Sequence, residues 1–265
     1  MNKHEVFNHF SSILNDMLDT SLFFDTYFQS PYSANDFYGS IDDESMPDNL
    51  CIKFGATRGC IIDDDYDYVV KFDVEGDING SACEREEGLF ALAERQHLAK
   101  YFAECIYLGT FTKTIRFYDY YDIERHMNWC DYNWQEFEEE FMANEDDFGE
   151  IHDIVISIPL YAYPKARPHF FRGVQGSQEE NEYVAKARKI VSPMRDSNLA
   201  VAVDFVRQYG EEEYQRITDF LYANDINDLH CANFADVDGN YVVIDYAGYH
   251  DGYDEDSDSN SNFES

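Results

Sequence analysis

The sequence predicts an α+β fold, because some stretches follow the hydrophobic period of strands and others that of helices, and at 265 residues one domain or two small lobes sharing a cleft is the natural expectation. Residues 49–74 hold short apolar runs between polar turns, as antiparallel strands do, whereas residues 83–105 and 198–223 carry apolar side chains at helical spacing. We expect an N-terminal helical appendage over 1–46, a small β-rich lobe over 47–163 with an acidic insertion over 112–150, a truncated, minimal helical lobe over 164–249, and a disordered acidic tail over 250–265.

Acidic residues dominate the composition. The chain has 19 Lys and Arg against 54 Asp and Glu, a formal net charge of −35 at pH 7. Such a surface repels nucleic-acid backbones and anionic membranes and attracts basic proteins. We therefore expect no direct binding to nucleic acid or membrane. An ordinary soluble acidic protein and a mimic of DNA directed at a basic partner both stay open.

The six cysteines include no CxxC pair and no metal-ligand spacing. Reduced thiols in a cytoplasm are the default interpretation of this pattern. No apolar run approaches the roughly 18 residues of a membrane span. The first 30 residues lack the basic start and apolar run of a signal peptide. We therefore expect a cytoplasmic protein.

Three strands are predicted in the small lobe, at Leu50–Phe54, Gly59–Ile62 and Tyr68–Asp73. A turn bearing Gly55 and Gly59 joins the first two strands. Lys71 lies on the third strand between Val and Phe residues. A lysine in such surroundings has to extend its ammonium to solvent or find an acid, so Lys71 is a candidate functional residue. The alternative is an ordinary edge-strand lysine.

The helix predicted over residues 83–105 carries three early acids, Glu84, Glu86 and Glu87. Glu86 precedes Phe90 by four positions and therefore shares the buried stripe of the helix. It is the favoured inward-facing acid, and Glu87 is the second choice. The alternative for each is a solvated acid in the first helical turn.

The middle of the chain is predicted to hold a hairpin with its turn at residues 112–113. An acidic helix-like stretch follows over 128–147, with a solvated face at Glu136, Glu138, Glu139 and Glu140. A buried strand at residues 154–160 then runs into an extended linker at Tyr161–Tyr163, which Pro164 stiffens.

The segment 224–248 carries the strongest chemical signal. Asp228 is followed five residues later by Asn233, and Asp245 closes a short apolar run. A polar turn at Asp236–Asn240 predicts a hairpin that brings Asn233 and Asp245 together. Oxygen ligands on adjacent strand ends suit Mg²⁺ holding a polyphosphate. The alternative is an acidic hairpin in which these residues only shape turns.

This pattern of Asp-x4-Asn, hairpin, apolar run and Asp resembles the catalytic and metal-binding segments of the protein-kinase-like fold. The DLHxxN variant at Asp228–Asn233 is most similar to aminoglycoside and small-molecule phosphotransferases and to compact bacteriophage kinases. The order of features resembles that family over about residues 50–248. A phage origin would imply the cytoplasm of a bacterial host.

The resemblance implies ATP and Mg²⁺ as cofactors. It implies that Asp228 orients and deprotonates the acceptor hydroxyl and that Asn233 and Asp245 hold Mg²⁺. Lys71, paired with Glu86, would clamp the phosphates.

Three further assignments come from the same resemblance. His230 would lie beside the active loop. The turn at Gly55 and Gly59 would cover the triphosphate, and the backbone of Tyr161 and Tyr163 would hydrogen-bond an adenine edge.

The chain also departs from the family. Ile226 stands where protein kinases have the histidine of HRD, and Ala247 stands where DFG has glycine. The APE motif, the activation segment and the later helices are missing. Three functions stay open: a phosphotransferase acting on a protein hydroxyl, a kinase-shaped binder with weak or no catalysis, and an acidic decoy for a basic nucleic-acid-binding protein.

Overall fold

The computed structural model describes residues 1–17, 23–24, 47–54, 58–73, 81–118, 151–168, 178–227 and 229–247. The fold is α+β, as predicted: an antiparallel sheet is followed by a helical cluster and a small hairpin. Internal contacts divide the chain into two compact units. The sheet unit comprises residues 1–168 and 235–244, and the helical unit comprises residues 169–234 and 245–265.

Five strands form the antiparallel sheet in the order β5-β6-β4-β3-β2, and the short β1 pairs in parallel with β5. Strands β2 to β4 confirm the three strands predicted between residues 49 and 74. The strands are β1 Phe23–Phe24, β2 Leu50–Phe54, β3 Arg58–Asp63, β4 Tyr68–Asp73, β5 Ile106–Tyr118 and β6 Ile151–Pro164.

Strand β5 corrects the prediction of a hairpin with its turn at residues 112–113. It is one strand of 13 residues that pairs antiparallel with β6 from Ile106 to Tyr118. The physical reason lies in Thr112 and Lys113, since neither favours the positive φ of a two-residue hairpin turn and the β-branched threonine favours a strand. Residues 112–118 of the expected insertion therefore belong to the sheet. The predicted acidic helix over 128–147 lies outside the described residues.

Helix α1, Lys3–Met17, is part of the core of the sheet unit. Its buried side chains Val6, Phe10 and Leu14 share one hydrophobic cluster with Val70 and Phe72 of β4. The sequence suggested an appendage over 1–46, because an amphipathic helix shows that it has an apolar face but not which surface that face covers. Within residues 3–17 that surface is the sheet.

Polar contacts also tie α1 to the strands. The His9 ring stacks on Tyr66 at 4.3 Å between centroids, and its Nε2 lies 2.8 Å from Oδ2 of the buried Asp63. Asn49 and the Asp65 backbone N–H donate to the other carboxylate oxygen. Burial acts to raise the pKa of the Asp63 carboxyl, but these hydrogen bonds outweigh it and hold that pKa below its ordinary value.

Helix α2, Ala82–Arg95, follows the sheet strand β4. Ser81 caps its first turn by accepting a hydrogen bond from the Glu84 N–H at 3.0 Å, and the Ser81 hydroxyl donates to Asp73. The helix predicted over 83–105 is therefore confirmed, but it ends at Arg95. The chain turns at His97, whose φ is 58°, and continues as a 3₁₀ turn at Ala99–Tyr101.

The helical unit contains α3 Gln178–Lys189, α4 Pro193–Ser197, α5 Leu199–Tyr209 and α6 Glu211–Ala223. The break predicted at Gly210 is confirmed: its φ of 91° ends α5, and α6 begins at the next residue. Residues 201–206 of α5 are buried without interruption, so this helix forms the centre of its unit. Among the helices of the described residues, none has the length and apolar character needed to cross a membrane.

The predicted hairpin is present as β8 Phe234–Val237 and β9 Asn240–Val243, with β7 Arg167–Pro168 on the outer side of β8. Its turn residues Asp238 and Gly239 have φ values of 49° and 81°. Positive φ at both central positions is the requirement of a type I′ turn, and Asp-Gly meets it at low cost. The turn chemistry thus fixes the register of this hairpin.

Gly59 is predicted to be intolerant of any side chain. A Cβ at this position of β3 would lie 2.4 Å from the Phe72 ring, which is itself fully buried. We expect Gly59→Ala to lower the free energy of unfolding by about 1–3 kcal/mol through overpacking. The matched control is Gly88→Ala in α2, where no atom lies within 4 Å and the alanine should stabilise the helix by about 0.5–1 kcal/mol. Urea unfolding of both variants measures the difference, and equal midpoints would contradict the packing role.

Asp63 is predicted to make stability depend on pH. Because its folded pKa is lowered, its contribution is present above the unfolded pKa of about 3.9 and is lost as the pH falls through the folded value. We expect Asp63→Asn to cost about 1.5–3 kcal/mol at pH 7 and much less in acid. The exposed Asp67→Asn is the control and should show no such pH dependence. Thermal unfolding across pH 2–7 tests this, and a pH-independent cost would refute the role of the charge.

Candidate functional site

Lys71 extends from the centre of β4 and is half-buried rather than directed into bulk solvent. Its ammonium lies 4.4 Å from the centroid of the Tyr163 ring and donates a 3.2 Å hydrogen bond to the carbonyl of Ile244. The sheet register explains the first contact, because Lys71 pairs with Tyr161 and Tyr163 is the diagonal neighbour on β6. The second contact joins β4 to the residue that precedes Asp245 in the chain.

Glu86 lies on the inner side of α2 and is fully buried, which confirms that it is an inward-facing acid. Its Oε2 accepts a 2.6 Å hydrogen bond from the Tyr163 hydroxyl, and its Oε1 lies 3.0 Å from a guanidinium nitrogen of Arg58 at the start of β3. The second contact has the distance of an ion pair, without the alignment of a hydrogen bond.

The predicted pair of Lys71 with Glu86 is therefore wrong in its partner. Among the described residues the cation beside Glu86 is Arg58, and Lys71 is connected to this carboxylate only through the Tyr163 side chain. The helical stripe showed which way the acid faces, but it carried no information on which of several sheet cations reaches it. A guanidinium suits a buried carboxylate because it is weakly hydrated and stays charged.

The Tyr163 hydroxyl is a permanent donor in this network. Burial and then the adjacent Glu86 carboxylate raise the pKa of Tyr163 well above its ordinary value, so the phenol stays protonated over the physiological range. Two nearby thiols are similarly neutral. Burial raises the pKa of Cys105 to about 12 and that of Cys83 well above its ordinary value. Neither thiol is a nucleophile at neutral pH.

The structure corrects the role assigned to Gly59 in the predicted phosphate-covering turn. Gly59 is a residue of β3, pairs with Phe54 and Phe72, and is covered by the Phe72 ring. Its lack of a side chain serves packing within the sheet. Gly55 lies outside the described residues.

The predicted adenine contact at Tyr161 and Tyr163 is corrected in its setting. Both residues lie inside β6, not in a linker, and both are buried. Tyr161 pairs with β4 on one side and with β5 on the other, so strand pairing encloses its backbone. Tyr163 pairs with Val69 of β4, and the pairing with β5 ends at Ala162, so an adenine contact by the Tyr163 backbone stays a prediction.

His230 is exposed and stabilises a turn in the helical unit. Its Nδ1 accepts a 3.2 Å hydrogen bond from the Ala232 N–H, at the start of the 3₁₀ turn Cys231–Asn233. Asn233 is buried at the end of this turn, and its N–H donates to the His230 carbonyl at 3.0 Å. Asp228 lies outside the described residues.

Asn233 and Asp245 are the two predicted metal ligands. Asn233 immediately precedes β8, and Asp245 follows β9 by two residues, so both lie at the open end of the hairpin. A carboxamide oxygen and a carboxylate are hard donors that fit Mg²⁺, which takes few protein ligands and keeps several waters. Over the residues that the structure describes, no group of three or more His, Cys, Asp or Glu side chains is arranged to hold a metal ion.

A groove of about 430 Å³ opens in the helical unit beside the predicted catalytic loop. Ile226 and Asn227, which immediately precede Asp228 in the chain, belong to its wall. Asp196, Tyr222 and Asp225 also line it, and the Tyr222 ring is exposed. Its walls therefore combine an aromatic surface with carboxylates.

The sequence analysis missed Arg58, the side-chain role of Tyr163 and the carbonyl of Ile244. One signal for Arg58 was present: it begins a strand adjacent to β4, and its cross-strand neighbour is the acid Asp73. No sequence signal identifies a backbone carbonyl as the partner of Lys71, because that contact depends on where the hairpin lies against the sheet unit.

The comparisons with known proteins add no family. No protein-family model matches the chain, and no curated protein sequence is significantly similar to it. The architecture itself, a five-stranded antiparallel sheet followed by helices, is loosely compatible with the two lobes of a kinase-like fold.

Arg58→Met is predicted to be strongly destabilising, because it leaves the buried Glu86 carboxylate without its cation. We expect a loss of about 3–5 kcal/mol in the free energy of unfolding. Combining it with Glu86→Gln removes both charges and keeps an acceptor for Tyr163, so most of the loss should be recovered.

The control is Lys165→Met, which breaks the exposed 2.6 Å pair with Asp64 and should cost no more than about 1 kcal/mol. Urea unfolding of the single and double variants gives the coupling between the two charges. Purely additive costs would contradict the pairing of Arg58 with Glu86.

Proposed function

We propose that the protein is an ATP- and Mg²⁺-dependent phosphotransferase of the kinase-like fold that phosphorylates a protein hydroxyl. The observation that carries the proposal is the hydrogen bond from the Lys71 ammonium to the Ile244 carbonyl. It joins the cation of the sheet to the hairpin one residue before Asp245. In kinase-type phosphoryl transfer the strand lysine and the metal-binding aspartate act on the same polyphosphate, and a lysine contact one residue before Asp245 in the chain supports that assignment.

The candidate residues divide the chemistry as follows. Asp228 accepts the proton of the acceptor hydroxyl while the new bond forms between that oxygen and the γ-phosphorus. The bond between the γ-phosphorus and the β–γ bridging oxygen breaks, and ADP leaves. Asn233 and Asp245 hold Mg²⁺, which neutralises charge on the phosphate oxygens when bound. Lys71 stabilises the negative charge of the same phosphates.

A protein acceptor is supported by the groove in the helical unit whose wall includes Ile226 and Asn227. It has the exposed Tyr222 ring for apolar contact and the Asp225 carboxylate on its wall, whereas Asp196 is already paired with Arg195. The overall charge of −35 favours the same class of partner. The contacts to the adenine base stay unassigned, because the Tyr161 backbone is enclosed between two strands and Gly55 lies outside the described residues.

A second candidate function follows from the charge alone. A kinase-shaped protein with weak or no catalysis, acting as an acidic decoy, would bind a basic nucleic-acid-binding protein through its −35 surface. The cluster Glu136, Glu138, Glu139 and Glu140, which lies outside the described residues, is a dense acidic stretch suited to that purpose. This candidate has no need of Lys71, Asp228, Asn233 and Asp245 together.

Nucleotide binding is the first prediction of the phosphotransferase proposal. ATP at about a hundred times its dissociation constant stabilises the folded protein by about 2.7 kcal/mol, so the melting temperature should rise by a few degrees. Asp245→Asn should remove the Mg²⁺-dependent part of the rise. Asp238→Asn at the exposed hairpin tip is the control and should keep it, because asparagine tolerates positive φ. A melting curve that millimolar ATP and Mg²⁺ leave unmoved would refute the proposal.

Asp228→Asn separates the two candidate functions. It changes one charge of a large excess but removes the general base, so phosphoryl transfer to a basic protein should fall by about 10²–10⁴-fold while ATP affinity is retained. Changing the four clustered glutamates to glutamine should instead weaken binding to a basic partner. If Asp228→Asn keeps full biological activity and the glutamine variant loses it, the acidic decoy is the correct function.

A further inference from the structure

We infer that Lys71 and Tyr163 form a polyphosphate-binding position whose cation is not neutralised by Glu86, and that Tyr163 is the positioning residue for the Lys71 ammonium. This inference rests on the proposed function and specifies how its sheet unit holds the phosphates. In it Arg58 takes the place of the lysine as the counter-ion of Glu86.

The charges of the four side chains carry the argument. Glu86 is fully buried with Arg58 at 3.0 Å, so one negative and one positive charge compensate each other. Tyr163 is neutral. Among the described residues the contacts of Lys71 are a carbonyl and an aromatic face, and neither carries a full charge. These four side chains therefore sum to one positive charge, on the half-buried Lys71 ammonium. The nearby Asp73 carboxylate, two residues further along β4, accepts hydrogen bonds from the Ser81 hydroxyl and the Cys83 N–H.

The Tyr163 ring is held at both ends. Its backbone lies in β6, and its hydroxyl donates at 2.6 Å to Glu86 on α2. The ring face is thus fixed beneath the ammonium at 4.4 Å, while the Ile244 carbonyl accepts a hydrogen bond at 3.2 Å. These contacts hold Lys71 without consuming its charge, since an ammonium has three donors and the carbonyl takes one. The remaining donors suit phosphate oxygens.

The contribution of Glu86 is consequently indirect. Its carboxylate orients the ring, and the ring orients the lysine. A glutamine at this position keeps an oxygen acceptor for the Tyr163 hydroxyl, whereas a direct ion pair with Lys71 would require the carboxylate charge. The ring-mediated arrangement and a direct ion pair therefore rank the same variants differently by their loss of polyphosphate affinity.

The experiment uses sodium tripolyphosphate as the probe, with the full chain at fixed ionic strength and no Mg²⁺. Isothermal titration calorimetry measures its dissociation constant for the wild type and for each variant. We expect Lys71→Met to weaken binding by about ten- to a hundredfold, the loss of a charge-assisted hydrogen bond. Tyr163→Leu should cause the next largest loss of tripolyphosphate affinity, and Tyr163→Phe a smaller one because the ring stays. Glu86→Gln should lose far less affinity than Lys71→Met.

The matched control is Lys189→Met. Lys189 is an exposed cation of α3 in the helical unit, so this variant makes the same change in net charge without altering the contacts of Lys71 and should bind tripolyphosphate as the wild type does. Since Glu86→Gln leaves Arg58 with a neutral partner, the double variant Arg58→Met with Glu86→Gln is measured as well. The double variant should show the same small loss in tripolyphosphate affinity as Glu86→Gln alone. Agreement between the two separates an effect on binding from an effect on folding.

A second readout needs no ligand. The ε-methylene proton signals of Lys71, assigned by their disappearance in Lys71→Met, should be shifted upfield by the ring current of Tyr163. Tyr163→Leu should abolish the upfield shift, and Glu86→Gln should keep most of it. An unshifted wild-type signal would overturn the positioning role of Tyr163.

The outcomes distinguish this inference from the proposed function. If tripolyphosphate binds with the expected order of losses but ATP and Mg²⁺ support no phosphoryl transfer, the proposed function fails and the inference stands. If phosphoryl transfer occurs but Glu86→Gln weakens tripolyphosphate binding as much as Lys71→Met does, the inference is overturned and the function stands. Absence of tripolyphosphate binding to the wild type also overturns the inference.

Discussion

A carboxylate without solvent contact has to be compensated by donors, and in this protein the need arises at Glu86 of α2. Arg58 and Tyr163 meet it from two strands of the sheet, so one buried charge ties the helix to β3 and β6. The position of Lys71 follows from that arrangement, because the ring that reaches Glu86 with its hydroxyl supports the ammonium with its face. Helix, sheet and candidate phosphate contact are therefore linked through the same buried side chain.

The arrangement differs from the ion pair that a kinase-like fold implies, and the difference has a chemical consequence. A lysine paired with glutamate shares its charge between the acid and the phosphates. Here Arg58 is the cation beside Glu86, and Lys71 donates to a backbone carbonyl, which leaves its charge for the proposed phosphate ligand. An arginine costs less than a lysine to bury beside an acid because its guanidinium is weakly hydrated. The chain thus separates the structural ion pair from the cation assigned to catalysis.

Phosphate binding and the binding of a basic protein substrate, the two parts of the proposed function, require opposite charges on the protein. Phosphate binding requires a positive charge at Lys71, yet the chain as a whole carries −35. Burial reconciles them, since a partly buried ammonium is screened less by salt than the surface acids are, and it acts at short range. In the proposed function the surface acids act at long range on the basic partner protein. A basic protein substrate is the class that such a surface attracts, and the groove that ends at Asn227 carries the same sign of charge.

Local patterns in the sequence are enough to place the helices and strands and to say which way their side chains face. The strands around Lys71, the inward Glu86, the break at Gly210 and the type I′ turn at Asp238 all follow from period, capping and turn chemistry, which act over a few residues. Which groups contact one another depends on the folded chain. The partner of Glu86, the contact of Lys71 with a backbone carbonyl, the strand environment of Tyr161 and the burial of α1 against the sheet depend on strand order and side-chain reach. Those are set between segments up to 173 residues apart, as in the contact of Lys71 with Ile244, and no local pattern encodes them.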